Sequence, residues 1–108
     1  MEWLKPWWST ADQTDHFHET FEAQLRLEIC PDDLIFGIPA KIIGRGNGDD
    51  AVFQLLDESG RVAFVHLKWS KARETGQFRT RSSVYKSFGD FSEKVMRPDH
   101  EDRLGEAE

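Results

Sequence analysis

Phe53 and Leu55 before Asp57-Glu58-Ser59-Gly60, and Ala63, Val65, Leu67 and Trp69 after it, are apolar at alternate positions. A period of two marks a strand with one buried face. The intervening turn, with Gly60 suited to the left-handed position, makes the two runs a hairpin. Burial constrains its register. A plain two-residue turn would set Leu56 opposite Arg61 and mix polar with apolar side chains on both faces. A glycine bulge sets Asp57 opposite Arg61, Leu55 opposite Ala63 and Phe53 opposite Val65. The alternate apolar residues then share one face, so the bulged register is expected. The other face, with Val52, Gln54, Leu56, Val62, Phe64, His66 and Lys68, is mixed.

An apolar sheet face needs a cover. Phe17, Phe21, Leu25 and Ile29 recur every fourth residue and form one helical stripe. Thr10 and Gln13 read as a capping box ahead of it. Asp12, Asp15 and Glu19 suit the positive end of the helix dipole. Pro31 disfavours helical geometry at the residue before it. The spacing predicts a helix over residues 11–29 that seals the apolar face.

Pro39–Arg45 reads as a strand, followed by a glycine-rich turn through Gly44, Gly46 and Gly48 and a second strand at Ala51–Asp57. Arg61–Trp69 is the third strand, and Val84–Lys86 is a candidate short edge strand. Ser87 is a suitable N-cap for a last helix, with Phe88, Phe91 and Val95 on one side and Pro98 as its stop. Either that helix covers the mixed sheet face, the preferred reading, or the face is an apolar patch rimmed by polar groups that binds a protein. The expected fold is α+β: an N-terminal helix packed on a three- to four-stranded antiparallel β-meander, with a short C-terminal helix. Residues 1–97 form a single domain in this reading, and 98–108 an acidic, flexible tail.

A chain of 108 residues supports one modest core. Four Trp, eight Phe and one Tyr give that core large side chains to bury. The opening segment gathers Trp3, Leu4, Trp7 and Trp8 around Pro6 and is too apolar for a free tail. It is expected to pack on the domain or on a partner. Cys30 is the single cysteine, which excludes an intrachain disulfide and a cysteine-based zinc site. The start carries no basic-plus-apolar leader, and no apolar run reaches spanning length. A cytoplasmic protein with no membrane association is expected.

Motifs for chemistry are sparse. His18 and Glu22 share a helix face, but His16 points away from them, and two ligands do not make a metal site. No metal or cofactor is expected. Gly44-Arg45-Gly46-Asn47-Gly48 matches a phosphate-binding loop in composition alone, because a strand follows it where a helix would be needed. Asp49 and Asp50 have no partner carboxylate on a neighbouring element. Cys30 sits at a helix C-terminus, where the dipole does not activate a thiol. A G-x-S-x-G elbow is missing. His66 is the one strand histidine and reads as a hydrogen-bonded structural group. A small enzyme or ligand-binding domain centred on His66 would need a pocket holding it beside a second titratable group.

The net charge of −6 is unevenly distributed. Residues 68–86 carry six bases against Glu74, whereas both ends of the chain are acidic. Trp69, Phe78 and Tyr85 interleave with those bases, a mixture that binds phosphate backbones and stacks bases. Nucleic-acid or phosphate binding through Lys71, Arg73, Arg79 and Arg81 is therefore one functional reading. The preferred reading of this segment is intramolecular, with the basic residues laid against the acidic helix or tail.

Trp7-Trp8, the acidic helix with Phe17 and Glu22, and Val65-His66-Leu67-Lys68-Trp69-Ser70 followed by Val84-Tyr85 resemble a group of small uncharacterised bacterial proteins with a Val-His-Leu-x-Trp strand. The likeness spans roughly residues 7–95. It departs at Lys68, where the group is expected to carry a small hydroxyl residue, and in the Arg-rich stretch 79–81. The resemblance implies a compact α+β domain in a bacterial or phage setting, and no reaction.

The leading expectation is a non-catalytic protein that occludes a protein partner, of immunity-protein or inhibitor type. Net acidity would steer it toward a basic toxin or effector. Surplus aromatics would anchor the contact. The candidate contact residues are Trp3, Trp7, Trp8, His66, Lys68, Lys71, Arg73, Arg79 and Arg81.

Overall fold

Asp15–Glu28 forms the first helix, α1, in a computed structural model that describes residues 1–69 and 80–106. Phe21, Leu25 and Ile29 are buried along its inner stripe, with Phe17 packed against the same core. The N-cap is Thr14, whose hydroxyl accepts the Phe17 N–H at 3.1 Å. Thr10 does not serve as the expected cap. It is fully buried and belongs to the sheet, with its N–H on the Ile43 carbonyl and its hydroxyl on that of Ile42. The helix therefore starts later than its polar flank suggests. At the other end Ile29 is already extended, ahead of Pro31.

The sheet has five antiparallel strands in the order β1-β2-β3-β4-β5. They are β1 (Trp8–Ser9), β2 (Ala40–Arg45), β3 (Asp50–Leu55), β4 (Val62–His66) and β5 (Ser82–Tyr85). The count exceeds the expected three to four. The extra strand, β1, pairs Trp8 with Arg45 and Ser9 with Gly44 and is too short to show any alternation.

The β3–β4 hairpin is also corrected. Phe53 faces Ala63 and Gln54 faces Val62, two residues away from the expected bulged pairing. The connection is longer than a bulged four-residue turn. Leu56 gives its N–H to Pro39 of the neighbouring segment, and Glu58 and Gly60 take left-handed φ of 66° and 78°. A slip of two preserves side-chain parity, so the same residues share each face.

Both faces are covered. On one side α1 packs on Ile42, Ala51, Phe53, Leu55, Ala63, Val65 and Leu67. On the other, Trp7, Phe91 and Met96 pack on Val52 and Val62, with Phe64 beside them. Ile42 serves the first core and Ile43 the second, as neighbouring strand residues do, and the register shift between Ile42 and Gly44 sets Gly44 opposite Val52, on the side of the second core. Gly44 and Gly46 are seats for indole rings. A Cβ at Gly44 would run into the Trp3 ring, and one at Gly46 would lie 2.7 Å from Trp7. The glycine-rich sequence there thus serves close approach as well as the turn.

Ser87 caps the C-terminal helical region, accepting the Asp90 N–H at 3.1 Å. The region comprises α2 (Phe88–Phe91), a π-helical turn (Ser92–Met96) and α3 (Arg97–Glu106). Pro98 does not stop it. The Arg97 N–H reaches back five residues to Ser92, and this widened turn brings in a proline that has no N–H to offer. The segment after Pro98 is tied to the N-terminus: Asp99 accepts the Trp7 indole N–H at 2.8 Å, and His100 Nδ1 lies 2.7 Å from the Lys5 carbonyl.

At the β5 edge, the N–H of Ser82 goes to Asp33 and that of Lys86 to Asp90. Among the described residues no helix is long and apolar enough to cross a membrane.

Candidate functional site: an aromatic and acidic face

The N-terminal half of α1, the β2–β3 turn and the end of β4 meet in one surface. Its spine is a row of rings. Trp8 lies 6.4 Å from Phe17, Phe17 4.7 Å from Phe21, and Phe21 5.1 Å from Trp69 in an edge contact. Phe21 is buried and holds the row to the core, while Trp8 is 41% exposed and Trp69 40%. The Arg45 guanidinium carbon sits 4.7 Å from the centre of the Phe21 ring. Its fork donates to the Gly48 carbonyl at 2.7 Å and lies 3.9 Å from Asp49. Such placement combines a cation–π contact with an ion pair.

Acidic groups border the rings. Asp49 accepts the Trp69 indole N–H at 3.0 Å. Asp50 lies 2.7 Å from Nδ1 of His66, directly across the ladder. Asp12, Asp15 and Glu19 are exposed around the start of α1, where Asp15 and Glu19, each two residues from Phe17, point away from its ring.

Trp69 is the most constrained of these residues. Its φ of 57° is left-handed, which is uncommon for a bulky side chain. Glu28 helps hold it there. The buried Glu28 carboxylate accepts N–H groups from Lys68 at 2.8 Å and from Trp69, together with the Thr80 hydroxyl and the Gln24 amide. Burial pushes the carboxyl pKa up, but those four donors outweigh it, and the pKa lies below the ordinary glutamate value. Asp33 repeats the arrangement by accepting the N–H and hydroxyl of Ser82. A charged residue at position 28, on the stripe between Leu25 and Ile29, is the sequence signal that could have pointed to this anchor.

The expected contact residues are dispersed by the fold. Trp7 is 1% exposed and lies in the core with its N–H bonded, so it presents no surface. Trp3 is half-buried over Gly44 and against Phe88. The tryptophan-rich start thus packs largely on its own domain, leaving Trp8 at the surface. His66 and Lys68 are exposed at the end of β4, and Arg81 is exposed before β5. Lys71, Arg73 and Arg79 lie outside the described residues. His66 borders neither the apolar cleft beside α1 nor the smaller polar cleft between Pro6 and α3. No group of three or more His, Cys, Asp or Glu side chains suited to a metal ion occurs among the described residues.

Comparison with protein-family models, curated proteins and solved structures gives no match.

Proposed function

We propose that the protein acts without catalysis, occluding a basic protein partner through the Trp8–Trp69 face in the manner of an immunity protein or inhibitor. The observation that carries this reading is Trp69. Its backbone is fixed by Glu28, its indole N–H is satisfied by Asp49, and its ring is braced on Phe21, yet a large part of it faces solvent. A tryptophan ordered before binding loses little entropy on contact and is suited to be an anchor. Asp49 and Asp50 beside it, in a chain of net charge −6, supply complementarity to a cationic surface and favour rapid encounter.

The test is binding to basic toxin-like proteins encoded near the gene, by calorimetry and by inhibition of the toxin. Trp69→Ala is expected to weaken the complex roughly tenfold or more, as truncation of an interface anchor does. Asp49→Lys is expected to slow association and reduce its salt dependence. A chain that stays monomeric and inhibits none of these proteins overturns the proposal. So does a complex indifferent to both substitutions.

A further inference from the structure

Asn47 is the only asparagine in the chain, and a glycine follows it. Asparagine is thermally labile. The pair lies at the tip of the β2–β3 hairpin, where both residues are exposed. The Asp50 N–H bonds the Asn47 carbonyl at 3.0 Å and closes a turn with Gly48 and Asp49 at its centre. Gly48 holds φ of 54°, and a Cβ built on it would meet nothing within 4 Å. Turn carboxylates elsewhere in the chain are tied down. Asp33 accepts the Ile35 N–H and Asp57 the Ser59 N–H, each two residues on. Asn47 is different. Among the described residues, neither its carboxamide nor the Gly48 N–H takes part in a hydrogen bond.

From this geometry we infer that Asn47 is a self-modifying site, at which the Gly48 nitrogen closes on the Asn47 carboxamide and releases ammonia. The Gly48 nitrogen gives up its proton and bonds to Asn47 Cγ. The Cγ–Nδ2 bond breaks, and Nδ2 leaves as ammonia carrying a proton in exchange. Water then opens the succinimide ring. Addition at Cγ leaves aspartate on an unaltered main chain. Addition at the backbone carbonyl leaves isoaspartate, whose main chain runs through Cβ and Cγ and whose α-carboxylate is a side group. Water is the one co-reactant, and nothing is oxidised or reduced.

Three features of the turn favour the first step. The carboxamide is free to rotate onto the nitrogen, and glycine brings no side chain into the path of the closing ring. The Asn47 carbonyl and the Gly48 N–H belong to one peptide group. The Asp50 N–H on that carbonyl therefore stabilises the negative charge its oxygen takes up when Gly48 loses its proton. The Arg45 guanidinium, 2.7 Å from the Gly48 carbonyl, holds a positive charge beside the developing anion. The consequence extends past the turn. Either product adds a carboxylate to the polar cleft that Asn47 shares with Asp99, Asp102 and Arg103. Isoaspartate also lengthens the main chain next to Asp49, which accepts the Leu67 N–H on its carbonyl and the Trp69 indole N–H on its carboxylate. The inference does not rest on the occlusion reading.

The test is to hold the whole chain warm at mildly alkaline pH, in native buffer and in urea. Peptide mass spectrometry reads the amide-to-acid mass gain at position 47, and chromatography separates aspartate from isoaspartate. Progressive conversion to both products is expected in native buffer, at a rate within several-fold of that in urea. A native chain that keeps its amide while the urea sample converts overturns the inference. Asn47→Gln should abolish the gain at this position, and a gain that persists there has another source and counts against the assignment. Arg45→Gln is expected to slow native conversion several-fold and Arg45→Lys, which keeps the cation, to retain the rate. Equal rates in the two overturn the role given to the guanidinium. The isoaspartate fraction should show a displaced Trp69 indole N–H resonance and Asn47→Asp an unmoved one. A resonance unmoved in both overturns the link to Trp69.

Discussion

The hydroxyl of Thr80 donates at 2.7 Å to the carboxylate of Glu28, a residue fifty-two positions earlier on a different element. The same carboxylate takes the N–H of Lys68, so one buried charge fixes the basic segment at two points, Lys68 and Thr80. Removing it leaves several donors unpaired in the interior. Glu28→Ala is expected to cost about 3 kcal/mol or more, since hydrogen bonds to a charged group contribute roughly 1.5–3 kcal/mol each. Thr80→Val should cost about 1–2 kcal/mol, because other donors remain on the carboxylate. Urea titration of the two variants measures both losses, and equal small effects would contradict the assigned geometry.

The same group sets a pH dependence. The folded pKa of Glu28 lies below the ordinary glutamate value, so the folded state binds this proton less readily than the unfolded chain does. Its stabilisation is therefore fully present above the unfolded pKa and is lost as pH falls through the folded value. Denaturant midpoints collected from neutral pH downward should decline across that window. Glu28→Gln should flatten this part of the decline while lowering the neutral plateau.

Asp57 offers a second titration with a local readout. Its carboxylate accepts the Ser59 hydroxyl, the Arg61 side chain and the Ser59 N–H, and together these lower its pKa to about 2. The carboxyl carbon of Asp57, followed by NMR, should remain ionised through the range in which ordinary aspartates protonate. Ser59→Ala removes the hydroxyl, the largest of the three influences, and should move the midpoint upward. A midpoint unchanged by that substitution would show that the turn is held in some other way.

Glycines in this chain should respond to alanine with opposite signs. Gly46→Ala places a Cβ 2.7 Å from the ring of Trp7, which is buried and bonded to Asp99. The indole has nowhere to retreat, and a loss of about 1–3 kcal/mol is expected from overpacking. Gly89→Ala puts its Cβ 3.7 Å from the Ser87 hydroxyl, an ordinary contact on a helix. It should gain up to about 1 kcal/mol from helix propensity. Thermal denaturation of the two variants gives the comparison directly.

Much of the architecture was legible because periodicity survives small errors. The Phe17, Phe21, Leu25, Ile29 ladder located α1, and the alternation from Phe53 to Leu67 located the face it covers. The hairpin register was wrong by two residues, which leaves every face intact but changes who sits opposite whom. The expected pairing would have put Asp50 across from Lys68, whereas the true register puts it across from His66. That is why the Asp50–His66 pair was not anticipated. The strand β1 and the buried role of Thr10 were out of reach for another reason. Both depend on a long-range pairing with β2, and two residues carry no period. Pro98 was misread because local preference was allowed to decide a helix end. In the fold, a π turn and the anchoring of Asp99 on Trp7 prevail over it. The acidic face itself combines residues from three separate parts of the chain, and Glu28, which fixes Trp69, was visible only as a charge among apolar neighbours.

The carboxylates of Asp33 and Asp90 on the Ser82 and Lys86 amides block the outer margin of the sheet at both ends of β5. At this edge, copies of this chain crowded together therefore have fewer free amides against which to zip. Any contact at this edge is left to side chains, whose shape and charge single substitutions can change while the backbone framework stays as it is.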